Sequence, residues 1–428
     1  MNTPGTPIPP LFGRRRFLQI AGTTAASAAL LAACGGTGST GNKVTLQQWY
    51  HQYGEDGTQQ AALKYAADYS KGSSSVNVKV NWVAGDYSTK LSTALLSNNA
   101  PDVFEYYVPD RNWVKQGLLE PLDDLYTADV KSDFNPISLN AYTVDGKIYG
   151  VKMIDDTQFF YYRKSMLTAA GIDPASLTSL DALLEAANKL TTSKVKGLFM
   201  GNDGGIGLYG MAIYSTGGDI VASNKAAFNT PAVIGSLTKL REVSTSKAIL
   251  TGAPTDWTDP SAFIDGLAAI QWCGLWAMPA ITKELNDDFG IFPWPAFGAT
   301  GKPAAPWGGW AEMVSAKGKH VNEAKALVKS LWIDNTSVQQ DWCLNYGFHV
   351  PPRKAAAASA SKLQSGPAAQ AVQIINQYGR TDPPIVDNAM YTALSDATSN
   401  IIKKNADPAT EVGKAAQTCD AELQKLLS

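Results

Sequence analysis

The chain has 428 residues, 45% of them hydrophobic and 17% charged, the balance of an ordinary folded protein. Lys and Arg number 36 against 38 Asp and Glu, a formal net charge of −2, and no basic cluster marks a nucleic-acid surface. The three histidines, His51, His320 and His349, are spaced too widely for a histidine-based metal site, and the chain carries no GxSxG elbow, HExxH pair or P-loop.

Residues 1–13 are polar and Pro-rich. Arg14-Arg15-Arg16-Phe17-Leu18-Gln19 then carries a twin-arginine export pattern, with Gly13 where Ser or Thr is usual. The Ala-rich stretch 20–33 is about 14 residues long and mildly apolar, short of the roughly 20 that span a bilayer, so it reads as a signal h-region. Leu31-Ala32-Ala33-Cys34 resembles the lipobox of bacterial lipoproteins. The resemblance implies that 1–33 is removed and that lipid on Cys34 anchors the chain to the outer face of the cell membrane. Residues 34–42, rich in Gly, Ser and Thr, read as a flexible tether. Removing three Arg leaves 33 basic against 38 acidic residues, a mature charge of −5. The remaining 395 residues exceed what one hydrophobic core supports, so two lobes are expected.

Val44–Tyr50 reads as a first strand, followed by a polar loop and a helix through about Lys71 with Ala62, Tyr65, Ala66 and Tyr69 on one face. Val76, Val78, Val80 and Trp82 alternate with polar residues, the pattern of a half-buried strand. A helix over about Tyr87–Asn98 and a short strand from Pro101-Asp102-Val103-Phe104 complete a βαβαβ alternation, which predicts an α/β fold with a largely parallel sheet. Leu180, Leu183, Leu184, Ala187 and Leu190 form a helical stripe that Thr178 and Asp181 are placed to cap; Ala324, Leu327, Val328 and Leu331 repeat the pattern. Ala-rich helical stretches fill 355–428, broken at Pro383-Pro384. Outside the cytoplasm the three remaining cysteines allow at most one bridge. Cys273 with Cys343 is the expected pair, and buried free thiols are the alternative.

An ordered set of short segments then carries a family resemblance. Asn99-Ala100-Pro101-Asp102-Val103 precedes Gly117-Leu118-Leu119-Glu120-Pro121-Leu122, Asp145-Gly146-Lys147-Ile148-Tyr149-Gly150-Val151 and Phe160-Tyr161-Tyr162-Arg163-Lys164. Trp307-Gly308-Gly309-Trp310 and Gly347-Phe348-His349-Val350-Pro351-Pro352-Arg353 follow. Together these resemble family 1 extracellular solute-binding proteins, the maltose-binding-like group of ABC importers, over about residues 44–428. The resemblance implies two α/β lobes of the type II periplasmic-binding kind, with ligand in the cleft between them. It places chain crossings near Met153–Asp156, Gly308–Glu312 and Gly347–Val350. Both lobes are then discontinuous: 43–154 plus 311–347 in one, 155–310 plus 348–428 in the other. The implied function is that of a non-enzymatic monomer that captures a carbohydrate, a di- or oligosaccharide, and delivers it to the permease subunits of an ABC transporter, with no cofactor or metal.

A sugar offers hydroxyls, which want carboxylates, amides and Arg, and apolar C–H faces, which suit aromatic rings. The candidates are chosen on that chemistry. His51 and Tyr53 follow the first strand, where α/β sheets present ligand groups. Glu105, Tyr106, Tyr107 and Asp110 follow the third, and the family pattern maps Tyr106 to a stacking ring and Asp110 near a hydroxyl acceptor. Asp155 and Asp156 fall at the first crossing, and Trp307, Gly309 and Trp310 at the second. Trp276 maps to a stacking Trp, Asn388 and Tyr391 lie near a late aromatic contact, and Arg353 follows the third crossing. Asp86 and Trp257 complete the set. Each has a plainer alternative: a helix cap for Asp86, core filling for Trp257, an ion pair for Asp155, Asp156 or Arg353, a solvated loop for His51. At the level of the whole protein, the rivals are a secreted glycoside hydrolase with paired carboxylates, a binding protein for peptide, polyamine or metal, and a structural lipoprotein.

Overall fold

The computed structural model describes residues 43–428; the twin-arginine segment, Cys34 and the tether lie outside the described residues. The first strand, Val44–His51, buries Leu46, Gln48 and Tyr50 on alternate positions, as a two-residue period requires. It pairs in parallel with Val76–Val83, from Val44 opposite Val76 to His51 opposite Val83, and on its other edge with Val103–Tyr106. The sheet is completed by Ala311–Val314 and then Val151–Lys152, both antiparallel. The helix Thr58–Gly72 covers one face, where Ala61, Ala62 and Tyr65 pack with Leu46 and Tyr50. Tyr87, Leu91 and Leu95 of the helix Tyr87–Leu95 cover the other, against Phe104 and Tyr106.

A second sheet runs in the order Gly290–Phe292, Gln158–Tyr162, Ala268–Gly274, Lys196–Phe199. Ala268–Gly274 is buried at every position, as befits a strand covered on both faces. Only its pairing with Lys196–Phe199 is parallel. The expectation of a largely parallel sheet therefore holds for the first βαβαβ run and fails where later strands return antiparallel. The stripe on Leu180–Leu190 packs into the core of this second sheet, but its N-cap is Ser179, whose hydroxyl accepts from the Ala182 amide at 3.1 Å, rather than Thr178. Phe160, Trp272 and Trp294 form the aromatic centre of the same core, with centroids 5.0–5.7 Å apart. Such ring pairs add about 1 kcal/mol each beyond the area they bury.

The expected disulfide is absent. Cys273 and Cys343 are free, buried thiols, as is Cys419. Cys273 packs in the core of the second sheet and Cys343 in that of the first, where its thiol donates to the Met153 carbonyl at 3.4 Å. Burial pushes both thiols well above the usual range, which holds them protonated and unreactive.

The two sheets are joined by backbone pairing. The Asp155 amide donates to the Val350 carbonyl at 2.8 Å and the Val350 amide returns to Asp155 at 3.0 Å. Asp156 and Gly308 exchange bonds of 3.2 and 2.9 Å, and the Met153 amide reaches the Trp310 carbonyl at 2.9 Å. Gly309 sits in this weave at φ +113°, and a Cβ there would lie 2.1 Å from the Ile154 carbonyl oxygen. The close approach that glycine permits at this position is to the protein's own backbone. Gly309→Ala should lower the unfolding free energy by about 2–4 kcal/mol in urea titrations, the sum of left-side φ strain and an overpacked contact.

One buried charge stands out in the first sheet. Glu312 on Ala311–Val314 faces Glu105 across the strand pair, and both are fully buried. Tyr50 donates to Glu312 at 2.7 Å and the Gln48 amide also reaches it. Burial, with Glu105 adding repulsion, outweighs these donors and raises the Glu312 carboxyl to about 7. An acid whose folded value lies above its unfolded value binds its proton more tightly when folded. Stability should therefore fall as pH rises from about 4.5 to 7, by up to about 3 kcal/mol at 1.36 kcal/mol per unit. Glu312→Gln should remove that contribution, read as a smaller fall of the unfolding midpoint between pH 5 and 7 than in the unsubstituted protein.

Candidate functional site

A cavity of about 910 Å³ opens between the two sheets, with a second of about 230 Å³ beside it. The helix Tyr87–Leu95 buries Tyr87, Leu91 and Leu95 in the first lobe's core. Its opposite face turns Ser88, Thr89, Ser92 and Thr93 to the larger cavity, a row of hydroxyls one helical turn deep. The facing wall belongs to the second lobe: Tyr209, Trp257, Trp272 and Tyr391 supply rings, and Gln158, Asp203, Asp382 and Asn388 supply polar groups. Tyr107 reaches in from the first lobe and lines both cavities.

None of the described residues lining the larger cavity is Lys, Arg or His. The smaller one holds Lys152 and Arg380, and both are committed. Lys152 donates to the Gly308 carbonyl at 2.8 Å and lies 3.3 Å from Asp155; Arg380 pairs with Asp219. Asp382, shared by the two cavities, accepts from the Tyr214 hydroxyl and lies within hydrogen-bonding reach of Tyr391. Burial raises its carboxyl against the opposing pull of those two donors. The site is thus aromatic, rich in hydroxyls and carboxylates, and without a free cation among its described lining.

Five of the sixteen expected contacts line this space: Trp257, Trp307, Gly309, Asn388 and Tyr391. Tyr106 does not, because it is buried in the first lobe's core against Trp113 at 4.8 Å; its neighbour Tyr107 takes the cleft position. Consecutive residues leaving a strand point to opposite sides, so a one-residue difference exchanges core for wall. Asp86 is exposed and caps its helix, accepting from the Thr89 amide at 3.1 Å. Asp110 caps the helix Arg111–Lys115 and accepts from the Asn388 side chain at 3.1 Å, joining the two lobes at the rim. Asp155 is buried, with the Ser138 hydroxyl at 2.7–2.8 Å and Lys152 on its other side. Asp156 pairs its backbone with Gly308 and turns its carboxyl to His349 at 3.3 Å. Arg353 is held by Asp133 at 2.5 Å and by the Ile333 carbonyl at 3.0 Å, which makes it a structural ion pair rather than a ligand group.

Glu105, His51, Tyr53 and Trp310 form one assembly in the first lobe, outside the lining of the two cavities. Glu105 accepts from the His51 amide at 2.7 Å, the His51 ring at 2.5 Å and the Tyr53 hydroxyl at 2.6 Å. The His51 ring lies between Tyr53 at 3.9 Å and Trp310 at 4.1 Å, and Trp310 in turn meets Tyr107 edge-on at 6.0 Å. Trp276, half-buried, donates to the Thr258 carbonyl at 2.9 Å and stands 6.0 Å from Trp257, behind the wall. The contacts not foreseen include Tyr209, Asp203, Asp382 and the hydroxyl row. The row was legible as the polar face opposite Tyr87, Leu91 and Leu95. Asp382, in an irregular stretch before Pro383, offers no local signal.

Residues 64–371 match the model of the family described as bacterial extracellular solute-binding protein. The chain is 25% identical over 334 residues to the multiple sugar-binding protein of Streptococcus mutans, covering 73% of this chain and 77% of that one. Its fold matches an ABC transporter solute-binding protein from Thermotoga lettingae bound with α-D-tagatose, at a TM-score of 0.74 and 19% identity over 89% of this chain and 99% of that chain. It also matches the GacH receptor of Streptomyces glaucescens, known unliganded and with acarbose, at a TM-score of 0.73 and 24% identity over 90% and 98% of the two chains. With the two-lobed α/β architecture and the cavity between the lobes, these matches establish that the chain belongs to the bacterial extracellular solute-binding protein family.

Proposed function

We propose that this protein captures a neutral di- or oligosaccharide between its lobes and delivers it, chemically unaltered, to the permease of an ABC transporter. One observation carries the reading: a cavity of about 910 Å³ sets four aromatic rings of one lobe against four hydroxyls of the other, with carboxylates and amides between them and no free cation among its described lining. Rings suit the C–H faces of a pyranose, and carboxylates and amides are the natural partners of its hydroxyls. An anionic sugar would meet Asp203 and Asp382 without a counter-charge. The volume is that of a site for a drug-sized ligand, ample for more than one sugar ring. The similar proteins named above are named for sugars or bound to sugar-like ligands, which supports the same class here.

In this reading the protein acts as a monomer, exported through its twin-arginine signal and held at the outer face of the membrane by lipid on Cys34. The lobes close over the guest by flexing at the paired crossing strands. The cleft contacts are Tyr107, Tyr209, Trp257, Asp382, Asn388 and Tyr391; Trp276 braces Trp257, and the His51–Trp310 stack braces Tyr107.

Thermal-shift screening against mono- and oligosaccharides tests the proposal, since ligand at 100 times its Kd adds about 2.7 kcal/mol of stability. Neutral oligosaccharides should raise the melting temperature, uronic-acid oligomers should not. Trp257→Ala should weaken the best neutral ligand by at least about tenfold while leaving the ligand-free melting temperature within a few degrees. A shift with peptides alone, or breakdown products in the sugar incubation, would overturn the reading.

A further inference from the structure

His349 is a buried polar residue that the cleft does not account for. It lies in the crossing segment between Tyr346 and Val350, 2% exposed, and neither ring nitrogen makes an aligned hydrogen bond. Two carboxylates face it instead. Asp156, on the neighbouring crossing strand, stands with Oδ1 3.3 Å from Nδ1. Glu55, in the first lobe's loop between Val44–His51 and Thr58–Gly72, stands with Oε1 3.8 Å from Nε2. The backbone is shaped around the ring. Gly347 leaves no room for a Cβ, which would fall 1.9 Å from Nε2, and Phe348 adopts φ +48°, a conformation a bulky residue takes only under constraint. The loop that carries Glu55 rests on Tyr346 through Gly57, so the three segments form one contact.

From this geometry we infer that His349 is a positioning residue: in its imidazolium form it pins the Glu55 loop of the first lobe to the crossing strand at Asp156, and so couples lobe closure to pH. The inference rests on the reading that the lobes close around a ligand. A buried imidazolium between two carboxylates leaves the trio with one negative charge; loss of its proton leaves a neutral ring between them, and burial, which already raises the Glu55 carboxyl, is then no longer opposed by that charge. Lys152, a cation that feels Asp156, is already held by Asp155 and the Gly308 carbonyl. The other titratable groups that bear on the trio do not replace it. His51 acts on Glu55 but is committed to Glu105. Tyr161, Cys273 and Cys343 feel Asp156 and are buried and raised, hence neutral.

The sign follows. Burial alone would lower the His349 ring, but Asp156 and Glu55 outweigh it and hold it above its ordinary value of 6.5. A base raised on folding contributes stability that is complete below its unfolded value of about 6.5 and is lost as pH climbs through the raised one. The pin therefore holds below about 6.5 and releases as pH climbs through the raised value.

With only three histidines in the chain, NMR titration of the ligand-free protein resolves each ring. His349 should titrate above about 6.5, and Glu55→Gln should lower its midpoint. Hydrogen exchange, corrected for the intrinsic rate, should show residues 52–58 opening at least about fivefold more at pH 9 than at pH 6. His349→Gln and Glu55→Gln should each flatten that dependence. A His349 midpoint at or below 6.5, or an undiminished pH dependence in Glu55→Gln, would overturn the inference. Neither readout uses a ligand, so a failed saccharide screen leaves this test intact, and failure here leaves saccharide capture standing.

Discussion

The architecture depends on backbone hydrogen bonding where the chain passes from one lobe to the other. Crossing segments are the least protected part of a two-lobed chain, because their amides and carbonyls lie between cores rather than inside one. Here they satisfy one another: Asp155 with Val350, Asp156 with Gly308, Met153 with Trp310. The pairing is possible because Gly309 removes the side chain that would meet the Ile154 carbonyl. In the proposed closure over a ligand these short ladders are the axis about which the lobes would move.

The cleft inherits its chemistry from the cores behind it. Trp272 belongs both to the aromatic centre of the second lobe and to the cavity wall, so core packing sets the position of the binding surface. On the first lobe, the helix that buries Tyr87, Leu91 and Leu95 is thereby oriented to present Ser88, Thr89, Ser92 and Thr93. Glu105 plays a comparable part for the His51–Trp310 stack: fully buried, it gathers three donors and holds the rings that stand behind Tyr107. Polar groups buried without exposure to the cleft, Glu312 and His349 above all, mark the places where the fold carries charge at a cost. Both sit beside or within the crossing region.

Much of the secondary structure was readable along the chain. The alternating valines of Val76–Val83, the helical stripe of Leu180–Leu190 and the breaks at Pro383-Pro384 are local signals with local causes. The order of motifs pointed to the solute-binding fold because that order is itself a property of the sequence. The individual contacts were less legible. Tyr106 and Tyr107 are chemically equivalent neighbours, and only the register of the strand decides which one faces the cleft. Arg353 and Asp155 resembled binding groups until Asp133, Ser138 and Lys152 were found to occupy them. Cys273 and Cys343 looked like a pair only while the cores that separate them were unknown.

Sequence alone determined the alternation of strands and helices, the two-lobe size, the family, and a composition rich in rings and acids. These follow from hydrophobic period, chain length and residue type, which act between near neighbours or on the chain as a whole. Tertiary structure alone decided which rings and carboxylates are free to meet a ligand, and which are consumed by caps, ion pairs and cores. That division arises because a side chain's availability depends on partners that, as with Asp382 and Tyr214 or His349 and Glu55, stand well over a hundred residues away in sequence and a few ångströms away in space.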